Sequence, residues 1–232
     1  MSRPTYYATR EGKKVRVPSV TTICGLLDKP ALKRWLQLQA IKACREADNL
    51  DGMSDGELLV AADAVAEDAR NVGHECHAVI SARLSGQEVL VADRDLYNCV
   101  DAFFSQHTVE PLEVGPESIP AMELELVSQR HLYGGTMDFY GLVDGEIVLV
   151  DWKTSRNAAV WPESFLQTAG YELALVEQYR EQPSARLIVS FRRSGESEPD
   201  APMFRIERRV GPEDGAAFLA LRSIYEWKKG AK

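Results

Sequence analysis

The chain has 232 residues, of which 45% are hydrophobic and 27% charged, enough to bury one good core, so we expect a single domain over residues 1–232. No run approaches the roughly 18 apolar residues of a membrane-spanning helix, and the N-terminus lacks the apolar core of a secretory signal, so we expect an intracellular protein with no membrane partner. The formal net charge of −8, taken alone, argues against a nucleic-acid partner.

The charge is uneven, because residues 1–51 carry ten Lys or Arg against five Asp or Glu. A basic N-terminal segment could follow a phosphate backbone while the acidic remainder holds metal. An ordinary solvated surface is the alternative, and the charge pattern by itself favours neither.

Helices are predicted for the first half of the chain, after an irregular or extended stretch over residues 1–27. Pro30 stands where a helix tolerates its missing N–H, and we expect this helix to reach about residue 47. Its apolar stripe at helical spacing consists of Leu32, Trp35, Leu36, Ala40 and Ala43.

A second, long helix is predicted over about 55–84, because Ser54 and Glu57 form a capping box ahead of it. We expect a break or bend near Asn71-Val72-Gly73, and a third helix over about 92–106. The first half therefore divides into a basic segment with its helix (1–52) and a helical part (53–110).

The pattern changes to a period of two at Met122. Strands are predicted over 122–127, 134–140 and 147–153, and the Asp144-Gly145 hairpin signal joins the last two into an antiparallel meander. A helix (162–179), a strand (185–191), a short strand (204–206) and a last helix (212–228) follow. The order predicts an α/β or α+β fold, a central mixed β-sheet flanked by helices, with the sheet in 118–210 and the C-terminal helix in 211–232.

Two residues of opposite charge, Asp151 and Lys153, end the strand of Val, Ile and Leu residues. Strand side chains alternate between faces, so these two share a face while Trp152 points the other way. Asp138 can lie close to Asp151 if the preceding strand pairs with this one. An ordinary salt bridge is the alternative for Asp151 and Lys153.

Glu123 and Glu125 lie on the next strand, both on one face. Several carboxylates that converge beside a lysine suit Mg²⁺ or Mn²⁺. Such a site suits phosphodiester hydrolysis, in which the metal activates water and Lys153 holds the water or a phosphate oxygen. The backbone carbonyl of Trp152 could be a further metal ligand.

Asp138 followed by Asp151-Trp152-Lys153-Thr154-Ser155 resembles the PD-(D/E)XK nuclease superfamily, in the branch of RecB-like and phage-type or mitochondrial exonucleases. The resemblance implies a restriction-endonuclease-like αβββαβ core. Gly73-His74-Glu75-Cys76-His77 is similar to the family's G-x-x-x-H motif, which implies that His77 is a metal ligand. Gly134-Gly135-Thr136-Met137-Asp138 resembles the family's Gly-Gly-x-x-Asp turn.

Gln167 and Tyr171 are similar to the family's Q-x-x-x-Y, which implies that they face the active site and help hold DNA. Val17–Ile23 resembles the N-terminal segment of phage-type members, so the matches run from about residue 17 to 171. Taken alone, His77 could be a buried or capping histidine and Tyr171 a packed tyrosine. The outer acidic ligand is Glu123 or Glu125, and Glu125 is slightly favoured.

The resemblance implies a metal-dependent DNA nuclease, most simply an exonuclease acting on DNA ends or single strands in recombination, repair or phage DNA processing. It implies one or two Mg²⁺ or Mn²⁺ ions, and DNA as partner, with a recombination, single-strand-annealing or helicase protein as a further partner in the cytoplasm of a bacterium or phage-infected host. The alternatives are a structure-specific endonuclease of the same fold, a non-catalytic DNA- or protein-binding module, and a hydrolase of small phosphoesters.

Two motifs of related proteins are missing from the sequence. No cysteine follows Cys99, and the other three are Cys24, Cys44 and Cys76, so we expect no iron–sulfur cluster. A G-x-x-x-x-G-K-[ST] phosphate loop is absent, and any motor would be another chain.

Overall fold

A computed structural model of the chain describes residues 4–46, 52, 54–87, 93–193 and 201–230. It begins with a hairpin of β1 (Tyr6–Arg10) and β2 (Lys13–Val17), followed by the short helix α1 (Val20–Cys24). Residues 47–51 and 88–92, at the end of the first predicted helix and the start of the third, lie outside the described residues. The stretch expected to be irregular or extended therefore contains a hairpin and one helical turn.

Three helices follow, α2 (Pro30–Glu46), α3 (Asp55–Leu84) and α4 (Arg94–Gln106). The capping box at the start of α3 is confirmed, since the Ser54 N–H donates to the Glu57 carboxylate at 2.7 Å and the Ser54 hydroxyl accepts from the Glu57 N–H. The helix continues through Gly73, so the break that was one form of the prediction is wrong. Packing of Cys76, Val79 and Ile80 in the core outweighs the cost of about 1 kcal/mol that glycine adds inside a helix.

The apolar stripe of α2 is not a buried face. Leu32 is 47% exposed and Leu36 38%, whereas Gln39 is buried. Trp35 is partly covered by the guanidinium of Arg193, which lies 5.7 Å from its ring centre. The periodic pattern therefore predicted the helix but not which of its faces is covered.

The central sheet has six strands, and its bounds are β3 (Val109–Pro111), β6 (Met122–Ser128), β7 (Tyr133–Val143), β8 (Glu146–Ser155), β9 (Ala185–Arg192) and β10 (Phe204–Arg209). A small separate pair, β4 (Glu113–Val114) and β5 (Ile119–Pro120), precedes β6. The sequence predicted neither this pair nor β3.

The sheet is mixed, as predicted. β6, β7 and β8 form the antiparallel meander, and the turn between the last two has positive φ at both Asp144 and Gly145. β8 pairs in parallel with β9, and β10 pairs antiparallel with β9. With α5 (Pro162–Tyr179) crossing between β8 and β9, the order of helix, three strands, helix and strand is consistent with a restriction-endonuclease-like fold. The last helix is α6 (Glu213–Gly230).

Each face of the sheet carries its own core. On one face α3 and α4 pack over Phe139, Trp152 and Phe191, and on the other α1, α5 and α6 cover a cluster that contains Leu149 and Phe218. All four cysteines are free, and three of them are buried. None of the helices in the described ranges is both long and apolar enough to cross a membrane.

Candidate metal centre

The candidate site lies where β7 and β8 stop pairing. Their register ends at Phe139 opposite Val150, although both strands continue beyond this pair. The N–H of Trp152 therefore has no partner on the backbone of β7, and it donates instead to Oδ2 of Asp138 at 2.8 Å. The N–H and C=O of one strand residue point to the same side, so the Trp152 carbonyl also opens toward β7.

Helix α3 brings His77 into this opening. Its Nε2 donates to the Trp152 carbonyl at 3.1 Å, while Nδ1 lies 3.1 Å from Oε1 of Glu123 and 3.8 Å from Oδ1 of Asp138. One ligand atom from each of His77, Glu123 and Asp138 lies within 4.8 Å of the others. His74, three residues earlier, is exposed, so the structure places the histidine that the resemblance selected at the cluster.

Glu123, which contacts His77, has a backbone conformation that is rare for an L-residue. It has no partner in the β6–β7 register, although its neighbours Met122 and Leu124 are paired, and its φ is +47°. This left-handed conformation costs an L-residue about 1–2 kcal/mol. Strained conformations of this kind concentrate at functional sites. Glu123 and Glu125 are both exposed, but among the described residues only Glu123 is a member of the cluster with His77 and Asp138.

Asp151 and Lys153 face α5, on the opposite side of β8 from Trp152. The Lys153 ammonium lies 2.6 Å from Oδ2 of Asp151, a carboxylate with no solvent exposure. Gln167 donates to Oδ1 of Asp151 at 3.1 Å and to the Tyr171 hydroxyl at 3.0 Å. The salt bridge that the sequence offered as the alternative for Asp151 and Lys153 is present. Gln167 of α5 adds a hydrogen bond to the same carboxylate.

The charged groups of the site shift one another's pKa values. Burial raises the pKa of Asp138 to about 7, with His77 opposing this and Asp151 adding to it. Burial lowers the pKa of His77, but Asp138 and Glu123 outweigh it and bring the pKa to about 9. Burial also opposes the charge of Lys153, yet Asp151 and Asp138 raise its pKa above the ordinary value. Without metal, a protonated imidazole therefore supplies the positive charge that these carboxylates require.

The donor set fits a hard divalent cation. The carboxylates of Glu123 and Asp138 lie together with the imidazole of His77, next to a cavity of about 10 Å³ that Trp152 also lines. The Trp152 carbonyl lies on the other ring nitrogen of His77. Oδ2 of Asp151 is buried and accepts no hydrogen bond of good geometry in the described part of the chain, its contact being the lysine ammonium. Oxygen-rich sites with one imidazole suit Mg²⁺ or Mn²⁺.

The sequence did not show that the N-terminal hairpin lies against the site. The Tyr6 hydroxyl is 2.8 Å from the Thr136 hydroxyl, two residues before Asp138. A Cβ on Gly134 would lie 2.6 Å from Tyr6, and one on Gly135 would lie 2.5 Å from Tyr171. The two adjacent glycines were the signal, because such a pair in a strand indicates a close approach by other groups.

No protein-family model matches the sequence, and no curated protein sequence matches it. Among solved structures, the crystal structure of SSO0001 matches with a TM-score of 0.36 and 14% identity, covering 85% of this chain and 86% of the other. An alkaline exonuclease (LHK-Exo) from Laribacter hongkongensis matches with a TM-score of 0.28 and 16% identity, covering 86% of this chain and 97% of the other. Both TM-scores are low, and neither similarity assigns a function to this chain.

Proposed function

We propose that the chain is a deoxyribonuclease that depends on a divalent metal and hydrolyses phosphodiester bonds, acting as an exonuclease at DNA ends or on single strands. The observation that carries the proposal is the cluster of His77, Glu123 and Asp138 close to the Asp151–Lys153 pair. Carboxylates that hold a cation next to a charged lysine suit the attack of water on a phosphodiester.

Glu123, Asp138, Asp151 and the Trp152 carbonyl would hold Mg²⁺ or Mn²⁺, as one or two ions, with His77 at the side of α3. When bound, such an ion neutralises the scissile phosphate, lowers the pKa of a bound water and stabilises the leaving oxygen. His77 serves as a ligand only as neutral imidazole, so metal binding releases its proton. Glu125 lies outside the cluster and is the weaker candidate for the outer acidic ligand.

Lys153 carries the charge closest to the reacting groups. Its ammonium has three N–H donors, one of which is directed to Asp151 at 2.6 Å, and its side chain keeps 31% exposure. The remaining donors can hold the attacking water or a phosphate oxygen and offset the negative charge that develops there. Without metal, Asp151 and Asp138 raise the pKa of Lys153 above its ordinary value, which favours the cationic form of an electrostatic stabiliser.

Gln167 and Tyr171 act on the site through Asp151. The Gln167 amide bonds both the carboxylate and the phenol, and Tyr171 is only 3% exposed. With so little surface, Tyr171 is a positioning residue that fixes the Gln167 amide. Gln167 in turn orients Asp151 and, at the edge of the site, is the better placed of the two to touch a DNA strand.

The basic hairpin supplies a surface for the phosphate backbone. Its exposed cations are Arg10, Lys13, Lys14 and Arg16. The Tyr6 hydroxyl joins the hairpin to β7 two residues before Asp138, so the hairpin that carries these charges packs on the strand of the site. Nonspecific contacts of this kind supply most of the affinity for DNA and weaken as salt rises.

The test is digestion of end-labelled linear DNA and circular single-stranded DNA with Mg²⁺, with Mn²⁺ and with EDTA. The wild type is compared with Lys153→Met and with Lys228→Met, a matched change at an exposed lysine near the end of α6. We expect metal-dependent loss of linear DNA, an intact circle, and activity in Lys228→Met but not in Lys153→Met.

Each other result selects a different function. Cleavage of the circle indicates a structure-specific endonuclease. Binding of DNA without cleavage under every metal indicates a non-catalytic module, and hydrolysis of a chromogenic phosphate ester alone indicates a hydrolase of small phosphoesters. Cleavage by Lys153→Met at the wild-type rate overturns the proposed site.

A further inference from the structure

A groove of about 690 Å³ lies away from the metal centre. Its walls are the C-terminal half of α5, the beginning of β9, the segment that joins β10 to α6, and the first turns of α6. Cavities of roughly 300–1,000 Å³ commonly bind ligands in proteins. Nothing in the proposed nuclease function makes use of this one.

The groove and the metal centre lie toward opposite ends of the same strand pair. In the parallel pairing of β8 with β9, Ala185 in the groove is level with Val148, and Val189 is level with Trp152 of the metal centre. Four residues of strand separate the two levels, about 13 Å at 3.3 Å per residue. A molecule in the groove would therefore leave the catalytic edge open.

The floor of the groove is apolar. Leu173 and Val176 of α5 face Leu219 of α6 across it, and all three are partly buried. Val210, at the rim, is 56% exposed. An apolar floor of this kind favours a ligand with at least one large apolar side chain.

The rim is cationic, although the whole chain carries −8. Arg130 and Arg180 are exposed, and the described residues form no ion pair with either guanidinium. Arg209 lies on the other side, held 4.2 Å from the ring centre of Phe165. These charges remain available to an anionic partner.

The acidic residues of the groove are already engaged. Glu172 is 3.3 Å from the buried guanidinium of Arg186 and accepts from the amide of Gln182 at 2.8 Å. Glu177 accepts from the Ser128 hydroxyl at 2.6 Å and from the backbone N–H of Arg130 at 2.9 Å. Glu172 is ion-paired, whereas Glu177 keeps its negative charge. Four arginines against two glutamates still leave the lining of the groove net positive.

We propose that this groove docks an acidic peptide segment of a partner protein, with an apolar side chain on the Leu173–Val176–Leu219 floor and carboxylates on Arg130 and Arg180. Charge complementarity supports an acidic occupant. Among its described lining residues the groove has no Phe, Tyr or Trp, and His131 supplies a single imidazole, so it lacks the row of stacking rings of a single-strand nucleic-acid site. A groove of this volume holds only a few side chains. A stable dimer needs a wider contact, about 800 Å² on each partner.

The experiment measures fluorescence anisotropy of a short labelled peptide in which a run of aspartates precedes leucine and phenylalanine. Two control peptides replace either the aspartates by asparagine or the apolar residues by serine. The protein variants are Arg130→Gln/Arg180→Asn and the matched exposed pair Arg34→Gln/Arg94→Gln. Asparagine is chosen because Arg180 has φ of +65°, a conformation that asparagine tolerates.

We expect the wild type and the Arg34/Arg94 variant to bind the acidic apolar peptide equally. Loss of both rim charges should weaken binding about tenfold, equivalent to 1.4 kcal/mol, and each control peptide should bind more weakly. Equal binding by the two variants, or no binding of the peptide by the wild type, overturns the proposal. Because binding is measured without cleavage, the result is independent of the nuclease proposal.

Two further results would also overturn it by assigning a different occupant. A single-stranded oligonucleotide that binds the wild type but not the Arg130/Arg180 variant would make the groove a nucleic-acid site. Self-association of the wild type that the same variant abolishes, seen by sedimentation, would make it an interface between two copies of the chain.

Discussion

The carboxylate of Asp138 accepts a hydrogen bond from the backbone N–H of Trp152 at 2.8 Å, at the point where their two strands cease to pair. One oxygen of Asp138 thus completes the sheet, while the other lies 3.8 Å from His77. The same residue fixes the end of a strand pair and presents an oxygen to the candidate metal site. Its two roles can be separated by substitution.

Asp138→Asn should retain stability and lose cleavage, whereas Asp138→Ala should lose both. The amide oxygen of asparagine can still accept from Trp152, but alanine leaves that buried N–H unsatisfied, which costs about 1–3 kcal/mol. Urea denaturation without metal measures the difference, and nuclease assays should show both variants weakened by on the order of a hundredfold or more. Equal unfolding midpoints for the two variants would show that the Trp152 bond does not support the sheet.

Lys153→Met should destabilise the metal-free protein by about 3 kcal/mol, because it leaves the buried Asp151 carboxylate without its cation. The double variant Asp151→Asn/Lys153→Met should recover most of this loss, since no buried charge remains. Chemical denaturation at neutral pH in EDTA measures all three proteins. Both variants should be inactive. A double variant that is less stable than Lys153→Met would contradict the electrostatic account of the stability loss.

Glu123→Gln should weaken the binding of Mn²⁺ by about tenfold or more, the loss expected when a group that supports a metal site is altered. Glu125→Gln, two residues away and outside the cluster, is the matched control and should bind as the wild type does. Isothermal titration with Mn²⁺ measures both. The opposite order of affinities would assign the outer ligand to Glu125, as the sequence slightly favoured.

Gly135→Ala should destabilise the protein by about 1–3 kcal/mol, the usual cost of overpacking. The new Cβ would lie 2.5 Å from the Tyr171 ring, which must then move away from Gln167. Activity should fall with stability, because Gln167 orients Asp151.

Gly73→Ala is the control for that substitution. Its Cβ would lie 3.7 Å from the Thr154 hydroxyl, an ordinary contact, and alanine stabilises a helix interior by about 1 kcal/mol relative to glycine. In thermal denaturation, the melting temperature of Gly135→Ala should therefore fall and that of Gly73→Ala should rise, relative to the wild type. A stable, active Gly135→Ala protein would show that the tight contact with Tyr171 has no part in the site.

The sequence predicted a structural feature correctly wherever that feature depends on only a few neighbouring residues. The capping box at Ser54, the Asp144-Gly145 turn and the bounds of α5 are as predicted. The alternation along β8 also predicted that Asp151 and Lys153 share a face. Each of these depends on backbone geometry over one turn or one strand, which the sequence specifies directly.

The choice between Glu123 and Glu125 could not be made in this way. Alternation treats both positions as equivalent, whereas in the structure the left-handed backbone of Glu123 and its contact with His77 distinguish the two. The continuity of α3 through Gly73 likewise follows from burial of its later turns against the sheet. Neither property has a local signal, because both arise from contacts between segments distant in the chain.

By itself the sequence determined the order of the long helices and of the strands from β6 to β10, the mixed sheet, and the identity of the charged residues that end β8. Tertiary structure decided that β7 and β8 part at Phe139, that His77 enters the opening from α3, and that α5 directs Gln167 to Asp151. Periodicity encodes which way a side chain points from its own backbone. The distance between side chains on different elements depends on how those elements pack, and that distance makes a cluster of carboxylates into a candidate metal centre.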